Sequence, residues 1–279
     1  MGLHGPMDTV MSFEACFEPW TTCAGPARLH LMQPLHQALC RPPEIAERDM
    51  AWAVEPLAWI IERAAIAGIP ADQWGTTVAF SAQGNSMFGW EPAPETPAGE
   101  RGFTQIDALH LLARDLGAIE RAGSRDMVTW SGRVWLGNRP RLWRTVAGRL
   151  LVRGGLFASQ CELVLASLLQ QHELDEETAA IRLGSAMIEA AGGEDYLDRC
   201  NEMGKPRGEV VTEYMAIGMQ MVRTLGSGLR MFDDDANPTE LRPWLSDVGR
   251  ATAIEALRAS VATGSFIEGL GEPVAGAWN

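Results

Sequence analysis

Apolar residues recur at helical spacing along most of this chain, and twice that rhythm breaks in the same way. Residues 112–133 read LARDLGAIERAGSRDMVTWSGR. An apolar helix ends in Leu-Gly, an alternating stretch follows, a turn-prone tip intervenes, and a second stretch closes on Val-Thr-x-x-Gly-Arg. Residues 222–250 read VRTLGSGLRMFDDDANPTELRPWLSDVGR and keep the same order, closing on Leu-Ser-x-x-Gly-Arg. Helix, β-hairpin and capped helix in succession is the grammar of a winged helix.

The remaining periodicity predicts mostly helices. The first 25 residues have no clear period and are expected to wrap the surface. Leu29–Cys40 reads as a short helix. The Pro42-Pro43 pair separates it from a longer one over Glu44–Ala67, since proline suits a first helical turn. Trp52, Pro56, Trp59, Ile60, Ala64 and Ala67 form the apolar stripe of that helix, with a kink at Pro56 and a C-cap at Gly68. Thr76–Ser81 reads as a short strand and Gly89–Arg101 as an exposed linker. Thr104 is placed to cap a helix carrying Ile106, Leu109, Leu112, Ala113 and Leu116. Strands are expected over 118–121 and at Met127-Val128, then a Thr129-capped helix to Leu136, then a helix opened by Pro140. Phe157–Gln171 is apolar on nearly all sides and should be central. A helix that starts with the acids Asp175, Glu176 and Glu177 at its positive end runs to Ala191, another covers Glu209–Leu225, and Ser246 caps a last one to Ala262.

The fold class expected is therefore mainly α: a helical bundle with two winged-helix-like units bearing small β-hairpins. The organisation expected is an N-terminal helical region with a Gly/Pro-rich loop over 1–103, a first unit over 104–153, central helices over 154–208 and a second unit over 209–279. Both units should share the central helix as a floor.

Charge changes this picture at one place. Lysine and arginine number 23 against 36 acids, a net charge of −13. Such a surface argues against general coating of nucleic acid. Yet 121–153 holds eight arginines and one aspartate, 8 − 1 = +7, so the rest carries −13 − 7 = −20. A basic block in an acidic protein is either a local binding feature or an intramolecular clasp. Arg121, Arg125 and Arg133 fall where the tip and cap of a winged helix meet a phosphate backbone, and Arg139, Arg141 and Arg144 extend the track. The helix before the hairpin is less suited to a groove, because Asp107 and Asp115 join Gln105, His110 and Arg114 among its polar residues.

No run of about 18 apolar residues is present, so no membrane span is expected. The opening MGLHGPMDTV has no basic region followed by an apolar core and does not read as a secretory signal. Five scattered cysteines without a C-x-x-C make the cytoplasm the expected location. Cys16, Cys23, His30, His36 and Cys40 lie within 25 residues, and zinc needs four such ligands, but their spacing matches no finger or ribbon. The second tip, Asp233–Asp235, lacks the order of a calcium loop. Gly84–Gly89 is one residue too long for a nucleophile elbow, and His172-Glu173 lacks the second histidine of a zincin helix. Lys205 is the only lysine. No catalytic signature and no cofactor site is found, and a non-enzyme is favoured.

One stretch resembles a known family. Leu116-Gly117-Ala118, Arg121 and Arg125, Val128-Thr129-Trp130-Ser131-Gly132-Arg133, and Leu142-Trp143-Arg144 follow a recurring pattern. It is that of the actinobacterial relatives of plasmid ORF-3-like proteins, which are linked to insertion-element passenger genes. Pro56-Leu57-Ala58-Trp59-Ile60-Ile61 is similar to an upstream segment of the same proteins. The likeness covers roughly 54–175, departs from the pattern at Asn138-Arg139-Pro140, and implies a fold more than an activity. Two functions follow as expectations. One is a DNA-associated regulator or mobile-element accessory factor acting through the arginine block. The other is an acidic protein-interaction scaffold, similar in charge and duplication to tandem winged-helix proteins that bind kleisin-type partners without binding DNA. Self-association is a further partner expectation.

Overall fold

In the computed structural model the residues described are 25–72, 75–90, 103–151, 156–170, 175–233 and 244–263. They are mainly helical, with one small antiparallel sheet. Helix α1 (Pro26–Met32) passes through a 3-10 turn at Gln33–Leu35 into the single turn α2 (His36–Leu39). The break within the expected Leu29–Cys40 helix falls at Pro34, which cannot donate to the preceding turn. The expected Glu44–Ala67 helix is likewise two, α3 (Glu47–Ala53) and α4 (Glu55–Ile66). They meet at Val54, whose φ of −98° and ψ of 8° are not helical. Pro56 sits in the first turn of α4, where its missing N–H has no partner to lose.

Four short strands follow the order β2-β1-β4-β3, all neighbours antiparallel: β1 (Ile69–Asp72), β2 (Gly75–Thr76), β3 (Ile119–Ala122) and β4 (Arg125–Val128). The strand expected over Thr76–Ser81 is corrected: Thr76 ends β2, and the Thr77 hydroxyl accepts from Phe80 N–H to open helix α5 (Val78–Phe88). An N-cap hydroxyl three residues ahead of a free amide outweighs the context-dependent β-propensity of Thr76-Thr77-Val78. Helix α5 stops at Gly89, in the left-handed region at φ 70°. The linker expected over 89–101 lies largely outside the described residues. Helix α6 (Gln105–Asp115) leads into the β3–β4 hairpin, which pairs Ile119 with Val128 and Ala122 with Arg125 around Gly123-Ser124. Helices α7 (Trp130–Leu136) and α8 (Arg139–Ala147) follow. The C-terminal half contains α9 (Leu156–Leu169), α10 (Glu176–Ala190), α11 (Gly193–Glu202), α12 (Arg207–Gly228) and α13 (Asp247–Thr263).

The duplication seen in the sequence is present as backbone geometry. Leaving α6, Gly117 takes φ 71°, Ala118 N–H donates to Ala113 C=O at 2.8 Å, and Thr129 N–H returns to Ala118 C=O at 3.0 Å. Leaving α12, Arg230 takes φ 52°, Met231 N–H donates to Gly226 C=O at 2.8 Å, and Ser246 N–H returns to Met231 C=O at 2.9 Å. The cap hydroxyls repeat as well. Thr129 Oγ1 donates to Gly117 C=O and accepts from Gly132 N–H at 3.1 Å. Ser246 Oγ donates to Arg230 C=O and accepts from Gly249 N–H, also at 3.1 Å. A Cβ at Gly132 would sit 2.2 Å from the Ala118 carbonyl oxygen, and one at Gly249 would sit 1.9 Å from that of Met231. The glycine of Thr/Ser-x-x-Gly-Arg is thus the point where the capped helix touches the strand backbone. Among the described residues of the second copy, the strand pairing is one bridge, Phe232 with Leu245. That pair occupies the register of Ile119 with Val128. The tip itself lies outside the described residues, apart from Asp233.

One apolar core joins everything from Leu31 to Val261. Helix α9 contributes Leu163 to Ala166, all at most 1% exposed, and packs on α10, α12 and α13. A small satellite of Leu197, Cys200 and Val210 holds α11 to the start of α12.

Candidate interaction surface

The sequence pointed to the first hairpin and its arginines. Helix α6 begins with a reciprocal cap: Asp107 N–H donates to Thr104 Oγ1, and Thr104 N–H donates to Asp107 Oδ2. The other carboxylate oxygen, Oδ1, accepts from Thr76 Oγ1 at 2.7 Å and Ser81 Oγ at 3.0 Å. Asp107 is buried in this hydroxyl cage. The picture of α6 offering Asp107 and His110 outward is therefore corrected. Residues 106–110 are all buried, because α4, α5 and α12 cover the helix on three sides. The close approach of α12 is made by Gly228, where a Cβ would meet the Leu109 side chain at 3.0 Å. Arg114 and Asp115 remain exposed.

Beneath the hairpin lies a polar cluster that motif reading missed. The side chains of His110 and Asp126 are both fully buried, and His110 Nε2 lies 2.7 Å from Asp126 Oδ2. Arg121 Nε donates to the second oxygen, Oδ1, also at 2.7 Å. The carboxylate accepts at both positions, so Nε2 carries the imidazole proton. Burial pushes the His110 pKa below its ordinary value, against the upward pull of Asp126. A histidine, an aspartate and an arginine thus share one site. The visible signal was Asp126 itself, the single acid within the arginine run.

The six arginines read as a phosphate track are held in different ways. Arg121 is held by Asp126 and reaches Ala71 C=O. Arg125 Nη1 donates to the carbonyls of Ala67 and Gly68 at 2.7 and 3.0 Å, satisfying the C-terminal end of α4. Arg139 pairs with Glu62 at 3.2 Å, and Arg144 lies 3.8 Å from Glu47. Arg133 and Arg141 are exposed, as is Arg149 further along, and none of the three forms a salt bridge among the described residues.

The N-terminal metal candidates divide the same way. Cys16 and Cys23 lie outside the described residues. His36 sits against Cys40, its ring nitrogens 3.7 and 3.9 Å from Sγ, as expected four apart on a helical stretch. His30 is exposed and does not join them. Among the described residues, no group of three His, Cys, Asp or Glu side chains could hold a metal ion.

A second buried pair anchors the N-terminal helix. Arg28 Nη2 meets Glu162 Oε2 at 2.5 Å, with both side chains 2% exposed, and Ser260 Oγ donates to the same oxygen at 3.1 Å. Burial lowers the Arg28 pKa, while Glu162 and Glu189 pull it back up. Glu189 also accepts from Ala27 N–H at 2.7 Å. Helices α1, α9, α10 and α13 are tied together here. No helix among the described residues is long and apolar enough to cross a membrane.

No family model matches the chain, and no curated protein or solved structure is detectably similar to it.

Proposed function

We propose that this chain is a tandem winged-helix scaffold for protein partners and does not read nucleic acid. The fold part of this reading is supported by element order. Helix α4, strand β1, helices α5 and α6, then the β3–β4 hairpin, with β1 paired to β4, is the succession a winged helix uses. The repeated strand-to-helix closure at Gly249 supports a second unit.

The functional part rests on one observation, the burial of α6. In a DNA-reading unit the helix before the hairpin presents its side chains to base edges. Here residues 106–110 are covered, partly by α12, the corresponding helix of the second unit. Two outward positions on the hairpins are also of the wrong kind for phosphate. Met127 and Trp244 occupy the same register in the two copies, and each is 36% exposed, while Trp130 nearby is 78% exposed. Apolar side chains at such sites fit a protein surface.

The DNA-associated reading rests on Arg133, Arg141 and Arg149. Three phosphate contacts would give a log–log slope of affinity against salt near −2.7, at about 0.9 per contact. Fluorescence anisotropy with random duplexes between roughly 50 and 200 mM salt distinguishes the readings. The scaffold reading expects no salt-sensitive binding. A slope near that value, flattened by replacing the three arginines with alanine, would overturn it.

A further inference from the structure

The corner where α4 ends, β1 begins and α5 starts holds a cleft of about 320 Å³. Arg63, Ile66, Pro70, Thr77, Phe80 and Arg125 line it. Its two guanidiniums are held in place by groups that carry no charge. Arg63 lies over the Trp59 ring, 5.4 Å from its centre, and Arg125 Nη1 grips the Ala67 and Gly68 carbonyls. Neither forms a salt bridge among the described residues, although Arg121, Arg139, Arg144 and Arg230 all do. The acids next to them in sequence are engaged elsewhere, Glu62 with Arg139, and Asp126 with His110 and Arg121. Asp72, further along β1, lies toward the hairpin tip, since Pro70 pairs with Arg125 and Ala71 N–H donates to Ser124 C=O. Arg125 reaches the opposite way. The rim is apolar: Ile66 is 76% exposed, and Met127, which packs on Gly68, joins it.

We propose that this cleft docks a short acidic segment of a partner protein, its carboxylates on Arg63 and Arg125 and an apolar side chain against Ile66 and Met127. The inference rests on the scaffold reading and gives that partner its chemistry. At roughly the 30 Å³ share of a water molecule, about ten non-hydrogen groups fit, the content of two side chains such as glutamate and leucine. Guanidiniums already fixed by a ring and by two carbonyls lose little freedom when a carboxylate arrives.

The test is fluorescence anisotropy of the full chain with a labelled peptide of core Glu-Leu-Glu, beside Gln-Leu-Gln and Glu-Gly-Glu forms. Saturable binding of the Glu-Leu-Glu peptide is expected. Arg63→Gln and Arg125→Gln should each weaken it about fivefold, the upper end for exposed ion pairs. The Gln-Leu-Gln peptide should lose about the product of the two, and Glu-Gly-Glu about tenfold for its missing apolar contact. Ala79 is an exposed lining residue in the first turn of α5, where an acid suits the helix. Ala79→Glu should therefore abolish binding with the melting temperature unchanged, while the neutral Ala79→Gln, of the same size, keeps most of it. The proposal is overturned if the Glu-Leu-Glu peptide does not bind, if Gln-Leu-Gln binds equally, or if Ala79→Glu binds like the parent. Succinate displacing the peptide at the peptide's own concentration would assign the cleft to a small anion and overturn it. Random duplex DNA displacing the peptide would assign it to phosphate and overturn it too. The DNA test of the scaffold reading turns on Arg133, Arg141 and Arg149, so a peptide that fails to bind leaves that reading standing.

Discussion

Replacing Arg121 with alanine separates a structural clasp from an exposed binding residue by magnitude. Arg121 gives Asp126 one of its two hydrogen bonds, at 2.7 Å, and the carboxylate is fully buried with His110 as its other partner. A hydrogen bond to a charged group contributes about 1.5–3 kcal/mol, and stranding a buried charge costs more, about 3–5 kcal/mol. The Arg121 side chain is 30% exposed, so water reaches the pair and screens part of that loss. A net destabilisation of about 2–3 kcal/mol follows, with His110 still in place. For a chain of this size that is a fall of roughly 5–10 °C in melting temperature. Arg133→Ala, at an exposed site, should change stability by less than about 0.5 kcal/mol. Denaturant unfolding of Arg121→Ala, Asp126→Asn and the double variant closes a cycle. The coupling should reach about 1 kcal/mol or more, since the two side chains touch. An Arg121→Ala protein that melts with the parent, or a cycle with no coupling, refutes the clasp.

Three further outcomes are expected. Gly132→Ala and Gly249→Ala push a methyl group into a strand carbonyl, so each should lower unfolding free energy by about 1–3 kcal/mol or more in denaturant titrations, while Gly123→Ala, whose Cβ would meet nothing, is limited to the cost of its positive φ. The His110 pKa is lowered on folding from an ordinary 6.5, so the unfolded chain binds the proton more readily; the stabilisation is full above that value and is lost as pH falls through it, and thermal melts from pH 7.5 to 5.5 should show a slope that His110→Gln removes. Burial raises the Cys161 thiol to about 11, so mass-resolved alkylation at pH 8 should leave Cys161 unmodified in the folded chain and label it in denaturant.

Much of the helix pattern was legible because it depends on local signals. Thr104, Thr129 and Ser246 each cap a helix as their hydroxyl position implied. Two errors share a cause. The second Leu-Gly, Leu225-Gly226, looked like the counterpart of Leu116-Gly117. Helix α12 instead runs a turn further, to Gly228, and Arg230 takes the left-handed position. Gly226 is small for another reason: Phe232 packs on it, 2.7 Å from where its Cβ would be. A glycine demanded by packing and one demanded by φ are the same letter. The arginine block divides for a related reason. Eight positive charges in a row of residues suggested one face, but Arg125 and Arg139 reach Ala67 and Glu62, partners more than 50 residues away that only the folded chain supplies. The helix cover over α6 was invisible for the same reason, since it comes from Gly228 on a distant element.

The two strand-to-helix closures also set an order of assembly. Each joins residues close in sequence: Ala118 to Thr129, and Met231 to Ser246. Loops this short close at small entropic cost, and the interactions that lock them are carried within the loop. The Arg28–Glu162 pair spans 134 residues, and its charges leave water only when α1 docks against an already formed bundle. The chain is thus built to gain its two hairpin knots early and its N-terminal clamp late. During synthesis the residues of the first knot also precede the glutamate that receives Arg28.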